Sequence, residues 1–106
     1  MKMKKYSIEA LKFINPDTDH IVEACLGLCG EVGEVVDIIK KNKFQGHDLD
    51  TSHLTEEIGD VVWYLNLLIK SLGITWEEVT KSNIDKLSKR YSSGKFKSED
   101  SINREV

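Results

Sequence analysis

The sequence predicts an all-α fold, a four-helix bundle that is completed by oligomerisation. Long segments repeat apolar residues at steps of three and four, which is the period of a helix packed along one face. Strand-like alternation is scarce, and the chain has one proline. Its 106 residues favour a single domain with a core at about residues 5–91 and a polar C-terminal tail at about residues 92–106. A helical domain of this size has a small core, so we expect a second copy to complete it.

The composition restricts the classes of partner. The net charge is -3, from 15 basic and 18 acidic side chains, which argues against a general nucleic-acid binder. A nucleotide substrate stays compatible with this charge, because a metal ion can neutralise phosphates locally. No apolar run approaches the ~20 residues of a membrane helix, and no signal core follows the basic N-terminus, so we expect a cytoplasmic protein with no membrane partner. Cys25 and Cys29 are expected to be small buried residues.

The first two predicted helices are separated by the proline. We predict a short helix over residues 7–14 and expect Asn15-Pro16-Asp17 to end it and to cap the next helix. The second helix is predicted over residues 18–41, and the polar residues 42–52 are predicted as a loop. The apolar seam of the second helix alternates steps of four and three and consists of Ile21, Cys25, Leu28, Val32, Val35 and Ile39.

The third and fourth helices have clear boundary signals. The third is predicted over residues 53–72, and Gly73 is expected to terminate it. Its seam consists of Leu54, Ile58, Val61, Leu65, Leu68 and Leu72. The fourth is predicted over residues 76–91, because Thr75 and Glu78 have the spacing of a capping box. We expect the second and third helices to form an antiparallel hairpin.

Two pairs of acidic residues accompany the two long seams. Glu31 and Glu34 lie on the second predicted helix, and Glu57 and Asp60 lie on the third. The members of each pair are three residues apart and therefore share a helix face. The pairs could converge across the hairpin or across a subunit interface. Partly buried acids repel one another unless cations compensate, and Mg²⁺, with Mn²⁺ as the second choice, suits such oxygen ligands. Solvated acids on an exposed face are the alternative interpretation.

Glycines and a basic stripe accompany the acids. Each glycine inside a helix costs about 1 kcal/mol relative to alanine, which suggests close approach of backbones or of a ligand, or simply a tight helix crossing. The glycines inside the long helices are Gly27, Gly30, Gly33 and Gly59. On the fourth helix, Asn83, Lys86 and Arg90 share one face and could hold a polyphosphate, although a solvated polar face has the same pattern. Trp63 could stack on a nucleobase or pack in the core.

Three segments together resemble a known family. Residues 30–35 read GEVGEV, residues 57–65 read EIGDVVWYL and residues 83–91 read NIDKLSKRY. These resemble the E-x-x-E, E-x-x-D and basic-helix motifs of the MazG-like all-α nucleoside triphosphate pyrophosphohydrolases. The resemblance covers about residues 21–96.

The resemblance implies a function and a set of site residues. The reaction would be NTP + H₂O → NMP + PPi, in an obligate homodimer or homotetramer with the site near the interface. Lys86 and Arg90 would contact the substrate's phosphates, with Asn83 nearby. Apart from the resemblance, Trp63 is a candidate substrate contact because an aromatic ring could stack on a nucleobase, and Glu34 is our candidate general base. The implied Mg²⁺ ligands are Glu31, Glu34, Glu57 and Asp60.

Other functions fit the same sequence. A phosphoribosyl-ATP pyrophosphohydrolase and a dUTP- or dCTP-selective enzyme would use the same scaffold. A non-catalytic helical oligomer that binds nucleotides for regulation would keep the hairpin but would not need four acids in register. A metal-storage protein is the weakest alternative, because no histidine ligands accompany the acid pairs and no Glu-x-x-His motif is present.

Overall fold

The computed structural model describes residues 1–103, and within them it is helical with no strand. The all-α prediction is therefore confirmed. The helices are α1 (Met3–Ala10), α2 (His20–Phe44), α3 (Thr51–Ser71), α4 (Trp76–Arg90) and α5 (Ser98–Ile102), with a 3₁₀ turn at Leu11–Phe13 after α1. The last three residues of the predicted tail, 104–106, lie outside the described residues.

The chain forms two compact units. The first, Met1–Gly73, contains α1, α2 and α3, and the second begins at Ile74 and contains α4 and α5. In the described part of the chain, no single helix is long and apolar enough to cross a membrane. Among the helices that the structure describes, α3 and α4 taken together, as a bent pair, are the one combination that reaches the required length and composition.

The first two helices differ from their predicted bounds. α1 begins four residues earlier than predicted, at Met3 rather than at residue 7, because the packing face of α1 includes the half-buried Tyr6 as well as the buried Ser7 and Ala10. α2 is capped by Asp19, whose carboxylate accepts a hydrogen bond from the backbone N–H of Val22 at 3.2 Å, and not by the Asn15-Pro16-Asp17 segment. It also continues beyond residue 41 to Phe44.

The remaining boundaries agree closely with the predictions until the tail. Gly73 follows α3 with φ of 72°, a left-handed conformation that glycine adopts without strain. The Thr75 side chain accepts from the backbone N–H of Glu78 at 3.0 Å, which confirms this cap of α4. The short helix α5 was not predicted. Glu99 and Asp100 occupy its first turn, where negative charge is favourable.

The α2–α3 hairpin is antiparallel, as predicted, and the two helices approach closely at Gly27. The ring of Tyr64 lies directly over this glycine, and a Cβ there would overlap the ring. Gly30, Gly33 and Gly59 have open space around them within the chain. The predicted close approach therefore occurs at Gly27 alone among these helical glycines.

The inward face of α2 is rotated relative to the predicted seam. Ile21, Val32 and Ile39 are exposed by 41%, 46% and 37%, so most of the predicted seam of α2 faces away from α3. The buried or half-buried side chains of α2 include Ala24, Leu28, Glu31, Val35 and Ile38. Small residues at positions 24 and 27 allow this face to approach α3, and the rotation places Glu31 on it. Cys25 and Cys29 are exposed thiols, so the expectation that they are buried was wrong.

Two side chains of α3 hold α1. The indole N–H of Trp63 donates to the carbonyl oxygen of Ala10 at 2.9 Å, and the amide of Asn66 donates to the carbonyl oxygen of Ser7 at 3.2 Å. Ser7, Ala10 and Asn66 are all buried. Because the last carbonyls of a helix have no partner inside it, these bonds satisfy the end of α1 and fix its position on α3.

Replacement of Gly27 tests the close approach. Alanine is the better helix former by about 1 kcal/mol, but here its Cβ displaces the Tyr64 ring, so we expect Gly27→Ala to lower the free energy of unfolding by about 1–3 kcal/mol. Gly30→Ala, in open space on the same helix, is the matched control and should be neutral or stabilising. Chemical denaturation measures both; equal stability of the two variants would contradict this packing.

Candidate metal centre on the α2–α3 hairpin

Three of the four predicted acids converge on the hairpin. Glu31 of α2 and both Glu57 and Asp60 of α3 each offer a carboxylate oxygen, and the three oxygens lie within 4.8 Å of one another. Glu57 and Asp60 share a face of α3 because they are three residues apart. Glu31 reaches them from the inward face of α2. Glu31 and Glu57 are half-buried and Asp60 is exposed.

The proximity of these acids alters the titration of Glu31. Partial burial raises the pKa of Glu31, and the charges of Asp60 and Glu57, a hydrogen bond with the Glu57 carboxyl and the charge of Glu34 raise it further. A hydrogen bond between two carboxyl groups requires a proton on one of them. The metal-free cluster therefore favours a bound proton, which reduces the repulsion among the carboxylates. A bound cation would reduce this repulsion in place of the proton.

The donor set of the cluster fits a hard divalent cation. All three groups are carboxylates, which are the ligands that such cations prefer, and one oxygen from each can reach a common point. A histidine borders the cluster without belonging to it: His53 Nε2 lies 3.3 Å from Glu57 Oε1, one turn before it on α3. Their i,i+4 spacing places His53 and Glu57 on one face of α3.

Glu34 lies at the margin of the cluster. It is exposed and is not one of the three acids whose oxygens converge, yet its charge contributes to the raised pKa of Glu31. It also helps to raise the pKa of Lys41, for which the main cause is the hydrogen bond to Asp37 at 2.8 Å. Glu34 therefore lies between the acidic cluster and the basic end of α2.

Tyr6 is a neighbour of the cluster that the sequence analysis missed. Its pKa is raised by partial burial and by the charge of Asp60, which indicates that the phenol and the carboxylate lie near each other. α1 brings Tyr6 there because Trp63 and Asn66 fix the adjacent carbonyls. No spacing rule connects residues 6 and 60, so only the tertiary packing of α1 could reveal that they are neighbours.

The other predicted site residues are not among the three converging acids. Trp63 uses its indole N–H to hold α1, and its ring makes an edge-to-face contact with Tyr64, with ring centroids 5.1 Å apart. These contacts give Trp63 a packing role, and its contact with substrate stays a prediction. Asn83, Lys86 and Arg90 lie on α4 in the second unit, where steps of three and four place them on one helix face.

Comparison with known proteins identifies the family. The family model described as the MazG nucleotide pyrophosphohydrolase domain matches residues 22–94, which is most of the chain. The chain belongs to the MazG family. The matched span includes both acidic pairs and the α4 stripe. The gene 37 protein of Mycobacterium phage L5 is 32% identical to this MazG chain over 92 residues, covering 83% of the chain and 72% of the phage protein. No solved structure gives a significant match.

The raised pKa of Glu31 predicts how pH and metal ions affect stability. The folded metal-free protein binds a proton that the unfolded chain releases near the ordinary value of 4.5, so its unfolding temperature should fall as the pH rises from about that value towards neutral. Mg²⁺ should reverse this loss at pH 7 and have a smaller effect as the pH is lowered, because protons then compete for the carboxylates. Thermal unfolding at a series of pH values, with and without Mg²⁺, measures both effects.

Two variants complete the stability test. Glu31→Gln should raise the unfolding temperature of the metal-free protein at pH 7, because it removes one of the repelling charges, and should weaken the Mg²⁺ effect. Glu56→Gln, an exposed neighbour on α3 outside the cluster, should change neither. A lower unfolding temperature for metal-free Glu31→Gln would show that repulsion within the cluster is negligible.

Proposed function

We propose that this MazG protein is a Mg²⁺-dependent pyrophosphohydrolase that converts nucleoside or deoxynucleoside triphosphates to the monophosphate and pyrophosphate, in the housekeeping of nucleotide pools. The observation that carries the proposal is the convergence of Glu31, Glu57 and Asp60 in a chain of the MazG family. Three carboxylates at one point are unfavourable alone and become favourable when they hold a divalent cation that also binds phosphate oxygens.

The reaction is hydrolysis at the α-phosphorus. When bound, Mg²⁺, or Mn²⁺ as the second choice, supplies positive charge to the phosphate oxygens and lowers the pKa of water. Glu31, Glu57 and Asp60 would hold the ion. Glu34, which is exposed beside them, is a candidate fourth ligand and our candidate general base, because a carboxylate not occupied by metal can accept the proton of the attacking water. The new oxygen–phosphorus bond forms in line with the bond that breaks, and pyrophosphate leaves.

The substrate's phosphates need donors besides the cation. We assign this role to Asn83, Lys86 and Arg90, which share one helix face. The amide is a neutral hydrogen-bond donor, the ammonium a point charge, and the guanidinium can donate two parallel hydrogen bonds to a phosphate. Trp63 packs against Tyr64 and α1 but is only half-buried. We therefore keep it as a candidate substrate contact.

A second copy of the chain belongs to the proposal. Within the described residues the fully buried hydrophobic side chains are few, whereas Val32, Val36 and Ile58 on the two long helices are exposed by 46%, 57% and 47%. Apolar surface of this kind is unfavourable in water and is typical of protein interfaces. We propose a cytoplasmic homodimer or homotetramer, in which a partner covers this surface.

The reaction class is tested with a panel of canonical and modified NTPs and dNTPs, incubated with Mg²⁺ or with EDTA. We expect monophosphate and pyrophosphate as the products, and no turnover in EDTA. Release of orthophosphate would mean that a different bond is cleaved. A folded protein with no turnover on the panel would refute the proposed reaction and favour a nucleotide-binding regulatory module or an enzyme for phosphoribosyl-ATP.

The general-base assignment predicts the behaviour of one variant. Glu34→Gln keeps the size and the exposed position of the side chain but cannot accept a proton, so kcat should fall by about 10²-fold or more while the fold is kept. Glu56→Gln is the matched control and should retain activity. Steady-state kinetics and circular dichroism give the two readouts; near-normal turnover of Glu34→Gln would exclude Glu34 as the base.

A further inference from the structure

An open groove adjoins the acidic cluster. It has a volume of about 590 Å³ and lies between the N-terminal part of α2 and one aromatic side chain of α3. Its walls include Thr18, Val22, Glu23, Leu26, Gly27 and Tyr64. Gly27 is four residues before Glu31, and Tyr64 is four residues after Asp60. Four residues of helix are one turn, about 6 Å of rise, so on both helices the groove is one turn from a carboxylate of the cluster.

One wall of the groove is a supported aromatic ring. Tyr64 lies over Gly27 and meets the edge of Trp63, and Trp63 is itself held by its hydrogen bond to Ala10. The apolar side chains of Val22 and Leu26 also line the groove and are exposed by 52% and 70%. The groove therefore offers both aromatic and aliphatic contacts to a flat ring, at a position beside the charged groups of the cluster.

The polar rim of the groove offers an acceptor. The Thr18 hydroxyl lies 3.2 Å from Glu23 Oε2 and 3.3 Å from the carbonyl oxygen of Asn15, so its one proton is shared between two acceptors. A carboxylate has about four acceptor positions and no donor, which leaves Glu23 able to accept further hydrogen bonds. No described lysine or arginine forms an ion pair with Glu23. Its place in the first turn of α2 favours the negative charge.

We propose that this groove holds the base of the nucleotide, and that Glu23 selects bases with an exocyclic amino group. The inference rests on the proposed function, because it uses the phosphate site one turn away to orient the nucleotide. An amino group, as in cytosine or adenine, donates to a carboxylate, whereas the carbonyl oxygen at the same position in uracil or hypoxanthine is repelled by it. The class of substrate is therefore an amino-bearing nucleoside triphosphate.

The test compares substrates that differ at this one position. For wild-type protein we expect kcat/KM to favour dCTP over dUTP, and dATP over dITP if purines are turned over, by about 10- to 100-fold. Glu23→Gln should reduce the preference by about tenfold or more, because an amide can both accept and donate. Glu9→Gln, the same change of charge in the same unit but outside the groove, should leave the preference unchanged.

Binding provides a readout that does not depend on hydrolysis. Titration calorimetry with the α,β-imido analogues of dCTP and dUTP, in the presence of Mg²⁺, should show tighter binding of the cytosine analogue and loss of that difference in Glu23→Gln. The base assignment is wrong if wild-type protein hydrolyses nucleotides without base preference or prefers dUTP. It is also wrong if Glu23→Gln keeps the wild-type preference. In each of these cases the proposed reaction stands. If nothing is hydrolysed but the Glu23-dependent difference in binding is present, the groove assignment stands and the proposed reaction is wrong.

Discussion

The packing of the Tyr64 ring against Gly27 is the contact on which the arrangement of the hairpin depends. Two helices can slide and rotate against each other unless side chains fix their register, and here a large ring occupies the space that a missing side chain leaves. With Gly27 opposite Tyr64, the antiparallel direction places Glu31 opposite Asp60 one turn further along. The same contact therefore assembles the acidic cluster and shapes the wall of the neighbouring groove.

The acidic cluster opposes its own assembly, and this property suits a metal centre. Partial burial and the charges of the neighbouring carboxylates together raise the pKa of Glu31. The helices hold the groups together through packing elsewhere, so the repulsion is relieved only by a proton or a cation. Because protons occupy the site at low pH, divalent cation binding and pH are coupled in this fold.

α1 contributes to the surroundings of the site although it precedes the residues that match the MazG family model, 22–94. Trp63 and Asn66 extend from the helix that carries Glu57 and Asp60 and bind the end of α1 by hydrogen bonds. Through this attachment Tyr6 comes near Asp60. A segment outside the shared domain can thus shape the environment of a carboxylate within it.

The sequence by itself determined the local structure and the chemistry available to this protein. Apolar periodicity gave the four main helices, Thr75 and Gly73 marked two boundaries, and the spacing of the acids placed each pair on one helix face, because these features depend on residues within a turn or two. The resemblance to the MazG family followed from the same motifs, and the family match confirms it.

Only the tertiary structure decided which face of α2 packs against α3 and which acids join the cluster. A period of three and four residues shows that a helix has an apolar face, but α2 has apolar residues on more than one face, and packing of its small residues against Tyr64 selected the face with Glu31. Glu34 was thereby left at the margin, and Ile21, Val32 and Ile39 were left exposed. The approach of Tyr6 to Asp60 and the holding of α1 by Trp63 join residues more than fifty positions apart, which no local pattern encodes.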